Sequence, residues 1–306
     1  MFLHALDEDD HFPPVNTALS EPDGLLAFSA QISIDRLESA YRQGIFPWYS
    51  GDQPVLWWSP QSRMVLECGD FHVSHSLRKR LKKIDKAQHL GDLTSCVVTV
   101  DCAFDAALDS CATRGAKRYT SQHLIEPKSA LHQVNDIHLI KTDQTTNHSN
   151  KNSETEDPET RDASFLATAT WITPHMQDAY KAWHQLGRVH SIETWQHGEL
   201  VGGLYGVSIG ATFFGESMFA RATDASKIAL AHLVQFLQRH HVKFIDCQMV
   251  TSHLSTLGAR PIDRAEFIAR VAQGINQPDL PWQAGWLNSM GEITPKNDSL
   301  ALPFTI

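Results

Sequence analysis

The chain has 306 residues, 42% hydrophobic and 20% charged, with a formal net charge of -9. That composition suits one large or two modest globular domains, and its acidity excludes a protein that holds nucleic acid by bulk attraction, leaving only a local basic patch for such contact. No apolar run is long enough to span a bilayer and the acidic start "MFLHALDEDD" lacks a basic-then-apolar signal pattern, so a soluble, cytoplasmic protein is expected.

In chain order, Ser33 to Gly44 predicts a helix, with Ser33 as N-cap, Leu37, Ala40 and Tyr41 as its apolar stripe and Gly44 as its stop. In "GIFPWYSGDQPVLWWSPQSR", Pro47, Pro54 and Pro60 interrupt any helix. Residues 1–65 read as a small N-terminal domain whose irregular loop carries aromatic side chains. "FHVSHSLRKRLKK" predicts a helix capped by Ser74 or Ser76 and bearing Arg78, Lys79, Arg80, Lys82 and Lys83. "CVVTVDCAFDAALDSCA" reads as a strand and then a helix. From about 115 to 168 the texture changes, and "KTDQTTNHSNKNSETEDPETRDA" cannot bury enough apolar area to offset its ordering entropy. A disordered insertion is expected there, with "ALHQVNDIHLI" as a local element.

Order returns with a helix from about Pro174 to Leu186, stopped by Gly187. The strand-like runs "HSIETWQ", "ELVGGLYGVSI" and "ATFFGESMF" suggest a meander. "DASKIALAHLVQFLQRHH" predicts a helix capped by Asp224, with Leu230, Leu233, Val234 and Leu237 along one face. The strand "KFIDCQMV" and the helical "SHLSTLGARPIDRAEFIARV" complete an α+β pattern over 66–306. The five cysteines form no C-x-x-C pair and the 17 histidines are scattered, so neither a disulfide framework nor a metal site is expected.

Within "KFIDCQMV", Asp246 and Gln248 lie two apart, and strand alternation puts them on one face. A buried carboxylate is costly unless paired or needed. Asp246 either serves chemistry or caps a turn or pairs with an arginine. Glu216 in "GESMF" is a second acid, with an ion pair to Arg221 or another base as its plain alternative. If Phe213 and Glu216 face one site, the strand must bulge at Gly215.

The strand–helix–strand unit from Thr212 to Val250 resembles the centre of the N-acetyltransferase (GNAT) superfamily, which implies a GNAT-like C-terminal domain with a mostly antiparallel, mixed sheet flanked by helices. Its loop "MFARATDASK" has no glycine to let backbone approach a pyrophosphate, which argues against an acyl-CoA donor. The ordered series "GIFPWYS", "LWWSP", "TWIT", "HSIETW", "LVGGLYGV", "GESMFAR", "ASKIAL" and "IDCQ", closed by "LGA", resembles the leucyl/phenylalanyl-tRNA–protein transferases over nearly the whole chain. The resemblance implies transfer of Leu or Phe, less readily Met, from aminoacyl-tRNA to the α-amino group of proteins beginning with Arg or Lys, marking them for N-degron degradation. An aminoacyl ester is already activated, so no cofactor is implied. The amine must shed a proton and the ribose oxygen must gain one, roles suited to a carboxylate and an amide.

On this resemblance Asp246, Gln248 and Glu216 carry the chemistry, Glu216 also being suited to a basic acceptor side chain. Tyr41, Trp48, Trp171, Leu204 and Phe213, with Tyr180 beside them, would form one apolar pocket for the Leu or Phe side chain. The run Arg78 to Lys83 would meet acceptor-stem phosphates; a monomer is expected because no coiled-coil or long apolar stripe is left unassigned. A CoA-dependent N-acetyltransferase and a catalytically dead tRNA- or peptide-binding module are the competing readings.

Overall fold

In the computed structural model, residues 3–51, 53–90, 92, 95–119 and 172–296 are described, without the side chains of 89 and 114–119. Trp171 and residues 120–168 of the expected insertion lie outside them.

The first helix forms as its cap and stripe predict. Ser33 Oγ accepts from Arg36 N, and α1 (Ile34–Arg42) buries Leu37, Ala40 and Tyr41. Gly44 leaves the helix at φ +71°, where a Cβ would come within 2.9 Å of the Phe267 ring. Around α1, strands β1 (His4–Leu6), β2 (Leu25–Ser29), β3 (Phe46–Pro47) and β4 (Val55–Trp58) form a small sheet in the order β1-β2-β4-β3. Its floor holds the fully buried Trp57, whose indole N–H donates to Ser29 Oγ.

The chain then enters a second sheet at β5 (Ser62–Glu67). The other strands of that sheet are β6 (Val97–Val100), β7 (Val189–Gln196), β8 (Glu199–Ile209), β9 (Thr212–Ala220), β10 (Phe244–Asp246), β11 (Arg260–Asp263), β12 (Gly285–Leu287) and β13 (Ile293–Pro295). Their order is β11-β5-β10-β9-β8-β7-β6-β12-β13. Neighbours pair antiparallel except β9 and β10, which run parallel because α5 (Ala225–Arg239) crosses between them. β7, β8 and β9 are the predicted meander.

Alternating side chains divide the core. One face packs Phe214 and Tyr205 against α1, against α3 (Phe104–Tyr119) and against α4 (Pro174–Gln185). The other packs Phe213, Ile192 and Ile245 against α5, whose stripe Leu230, Leu233, Val234 and Leu237 is buried, and against α2 (His75–His89). Ser74, not Ser76, caps α2 by accepting from Leu77 N. Among the described residues no helix is long and apolar enough to cross a membrane.

Several expectations need correction. α3 runs to Tyr119, so 115–119, placed in the insertion, continue a helix. Asp224 stands at the N-cap of α5 in a left-handed conformation, φ +62°, with no side-chain cap bond. Its carboxylate lies instead 3.5 Å from Lys227 Nζ and 3.8 Å from Arg80 Nε. β10 ends at Asp246 rather than running to Val250, because Gln248 turns to φ +52°. The segment read as helical from Ser252 splits into α6 (Ser252–Thr256), β11 and α7 (Arg264–Gly274). Pro261 is tolerated in β11 because that strand is the sheet's edge.

Candidate active site

Strand β9 carries a bulge at the site. Gly206 on β8 pairs with Gly215 and Tyr205 with Ser217, so Glu216 has no partner residue. A Cβ on Gly206 would sit 2.3 Å from the Phe214 carbonyl oxygen, so only glycine fits opposite the kink. Alternation from Phe214 keeps Glu216 on the face that packs against α1 and α4. There its Oε1 accepts from the Tyr41 hydroxyl at 2.8 Å and its Oε2 from the Tyr180 hydroxyl at 3.1 Å. The two tyrosine hydroxyls are also 2.8 Å from each other.

Gln248 completes this cluster by donating from Nε2 to Glu216 Oε1 at 3.2 Å. Its backbone N–H donates to Asp246 Oδ1 at 3.0 Å, which ties the two-residue turn. Asp246 is fully buried and accepts both arms of the Arg63 guanidinium, Nε on Oδ1 at 2.8 Å and Nη2 on Oδ2 at 2.6 Å. The Arg63 Cζ lies 4.5 Å from the ring centroids of both Phe46 and Phe267.

The electrostatics follow from this packing. Glu216 is pushed up to about 7, first by loss of solvent and also by the nearby Asp246 charge, while the Tyr41 and Tyr180 hydroxyls and Arg63 oppose the rise. Tyr41 and Tyr180 are held well above the ordinary phenol value by burial and by the Glu216 charge. Glu216 keeps partial solvent access, so a carboxyl that changes charge near neutrality stands where an incoming amine could meet it.

The sequence-predicted residues are only partly brought together. Asp246, Gln248 and Glu216 do share a face, but Asp246 spends its oxygens on an arginine and a turn, the plain alternative raised for it. Tyr41 and Tyr180 are fully buried, with their hydroxyls on Glu216, so they support the carboxylate and do not line an open apolar cavity. Trp48 is partly buried on the same side, edge-on to Trp58 at 5.8 Å. Leu204 and Phe213 lie on the opposite face, where Phe213 meets Trp282 at 5.8 Å. The expected single pocket is therefore split by the sheet itself, because strand alternation puts Glu216 on the Phe214 face and Phe213 on the other. A cavity of about 420 Å³ beside α3, with Trp195, Leu200 and Arg221 in its wall, includes none of these residues.

On α2, Leu77 and Ile84 are buried anchors while Arg78, Lys79, Lys82 and Lys83 are exposed. Arg80 departs from the predicted landing strip, because its Nη1 donates to the Thr223 carbonyl and pins the loop before α5. Glu216 does not pair with Arg221, which donates to Ser110 Oγ and the Leu200 carbonyl. Among the described residues no group of three or more His, Cys, Asp or Glu could hold a metal ion. Arg63 was missed by sequence reading. The one signal for it was the demand of a buried acid for a base, which does not say where along the chain the base lies.

The family model "Leucyl/phenylalanyl-tRNA protein transferase" matches residues 159–272, and the model of the N-terminal domain of the same proteins matches residues 30–61. The chain is 48% identical to the leucyl/phenylalanyl-tRNA–protein transferase of Bordetella bronchiseptica, over 96% of each chain. It is 43% identical to that of Methylibium petroleiphilum, over 90% of this chain and 84% of the relative. It is 41% identical to that of Burkholderia pseudomallei, over 91% and 89%. Its likeness to the solved structure of L-PGS from Bacillus licheniformis, with a TM-score of 0.24 at 11% identity over 74% of this chain and 54% of that one, is too slight to carry an argument.

Proposed function

The chain belongs to the leucyl/phenylalanyl-tRNA–protein transferase family, and on that premise we propose that it moves Leu or Phe, less readily Met, from aminoacyl-tRNA onto the α-amino group of proteins beginning with Arg or Lys, marking them as N-degrons. The observation that carries this reading is the Glu216 carboxyl, pushed up to about 7 and held by Tyr41, Tyr180 and Gln248. A carboxyl with that affinity for protons takes one from an attacking amine and returns it to a departing ribose oxygen near neutral pH. The Gln248 amide orients the carboxylate and the ester. Asp246 supports the pair through its turn with Gln248 and through its negative charge. Because the ester arrives activated, the reaction draws on no cofactor.

The N-terminal domain read as residues 1–65, with its small sheet and α1, contributes Tyr41 and Trp48, although β5 (Ser62–Glu67) at its end already belongs to the large sheet. The 66–306 domain contributes the rest, and the parallel β9–α5–β10 crossover supports its GNAT-like reading. Trp48, on the Glu216 side of the sheet, is the apolar side chain offered to the amino acid; Trp171 lies outside the described residues, and Leu204 and Phe213 are buried on the other face. Arg78, Lys79, Lys82 and Lys83 meet the acceptor-stem phosphates without reading sequence. The enzyme acts as a monomer in the cytoplasm.

Labelled Phe-tRNA incubated with a protein beginning with Arg should yield a new peptide bond, while the same protein beginning with Gly should not. Glu216→Gln should slow formation of that product roughly 10²-fold or more. Acetylation of the acceptor from acetyl-CoA, with no transfer from Phe-tRNA, would overturn the assignment in favour of the N-acetyltransferase reading.

A further inference from the structure

We propose that Arg63 is a positioning residue for transfer, because its fork onto Asp246 sets the turn that delivers the Gln248 amide to Glu216. The inference rests on the reading of Glu216 and Gln248 as the reaction centre. Arg63 is the second residue of β5 and is 1% exposed, and Asp246 closes β10 on the neighbouring strand. The guanidinium takes both carboxylate oxygens, at 2.8 and 2.6 Å, and Oδ1 accepts the Gln248 N–H as well. That last bond stabilises Gln248 at φ +52°, a conformation side-chain-bearing residues seldom adopt. From it the Nε2 reaches Glu216. Arg63, Asp246, Gln248 and Glu216 thus form one hydrogen-bonded series that starts on β5 and ends on β9.

The far end of the series is immobile for a separate reason. The guanidinium lies against both Phe46 of the small sheet and Phe267 of α7, two elements packed on the same face of the large sheet, and they fix where Asp246 must stand. Its Nη1 has no hydrogen-bond partner among the described residues although it is buried, so Asp246 and the two rings alone hold the group. A lysine would keep the charge yet meet the carboxylate as a single point and leave the turn loose.

Arg63 also acts on Glu216 through charge. The groups bearing on Glu216 are Tyr41 from α1, Tyr180 from α4, Tyr205 from β8, Asp246 and Gln248 from β10 and its turn, and Arg63 from β5. Arg63 is the cation of that set, and it favours the ionised carboxylate that Asp246 disfavours.

The test is steady-state transfer from Phe-tRNA by Arg63→Lys and Arg63→Gln, with Glu216→Gln as reference, across pH and normalised to folded protein by thermal unfolding. Arg63→Lys should lower kcat roughly 10- to 100-fold through misplacement of Gln248, with KM for Phe-tRNA kept and the acid limb of the pH profile unmoved. Arg63→Gln should lose as much and shift the acid limb to higher pH, since Asp246 then stands unopposed near Glu216. Folded Arg63→Lys with wild-type kcat, an unmoved limb in Arg63→Gln, or losses that only follow the unfolded fraction would each overturn the proposal. Full transfer by Glu216→Gln would overturn the parent reading of the centre instead.

Discussion

At Glu216 a single side chain carries two requirements, reactivity near neutrality and a fixed direction. Burial supplies the first and three donors supply the second. Removing the charge in Glu216→Gln should cost transfer roughly 10²-fold or more, the usual scale for a positioned proton acceptor. In the wild type, kcat/KM should rise as pH passes through about 7, where the carboxyl loses its proton. A flat profile there would assign the proton to another group. Asp246 makes a different claim. Asp246→Ala leaves the Arg63 cation buried and unpaired, which should cost about 3–5 kcal/mol of stability, read as a lower urea midpoint. Any loss of transfer in that variant has to be measured per folded molecule before it speaks to chemistry.

The elements show which of these features sequence patterns reveal. α1 and α5 announce themselves through stripes whose burial dwarfs other local preferences, with Ser33 as added punctuation, and α4 through Pro174 in its first turn and Gly187 at its stop. β11 stays hidden, since Arg260–Asp263 is short and contains a proline that only an edge strand admits. The three polar site residues stood out as polar groups inside apolar runs, whereas Arg63 is 183 positions from its partner and no local rule reaches that far. Tyr41 and Tyr180 read as apolar rings because a sequence does not say where a hydroxyl will find its acceptor. α2 was legible as a basic helix, yet packing divides its charges. Replacing Lys79, Lys82 and Lys83 with Ala should reduce the slope of log affinity for tRNA against log salt by about 2 to 3, since each phosphate left unneutralised keeps its counter-ion. Arg80→Ala should leave that slope nearly unchanged and instead loosen the loop before α5, because its guanidinium is committed to the Thr223 carbonyl. Equal slopes for wild type and the triple variant would remove α2 from the tRNA interface.

Across the whole molecule, stability should vary with pH through a carboxyl that plays no part in the proposed chemistry. Glu193 sits in the middle of β7 with no solvent exposure, takes hydrogen bonds from the Thr99 and Ser191 hydroxyls and the Ala103 N–H, and lies near the Asp101 charge. Burial, the largest cause, and Asp101 push it up to about 7, against the pull of its donors. The unfolded chain gives up this proton near the ordinary glutamate value, so between there and about 7 the folded state holds a proton that the unfolded state has released. Folding is therefore favoured at the acid end of that window and weakens as pH rises through it, levelling off once the folded carboxyl ionises. A shift of that size corresponds to a loss on the order of 3 kcal/mol across the window. Glu193→Gln, close in shape and without charge, should remove this slope, so that the melting temperature of the wild type falls relative to the variant's as pH rises through the window, and the gap should stand furthest in the variant's favour above it. Parallel melting curves for the two proteins on both sides of neutrality would mean that Glu193 ionises in the folded state as readily as in the unfolded chain, and that the sheet centre is wetter than its packing indicates.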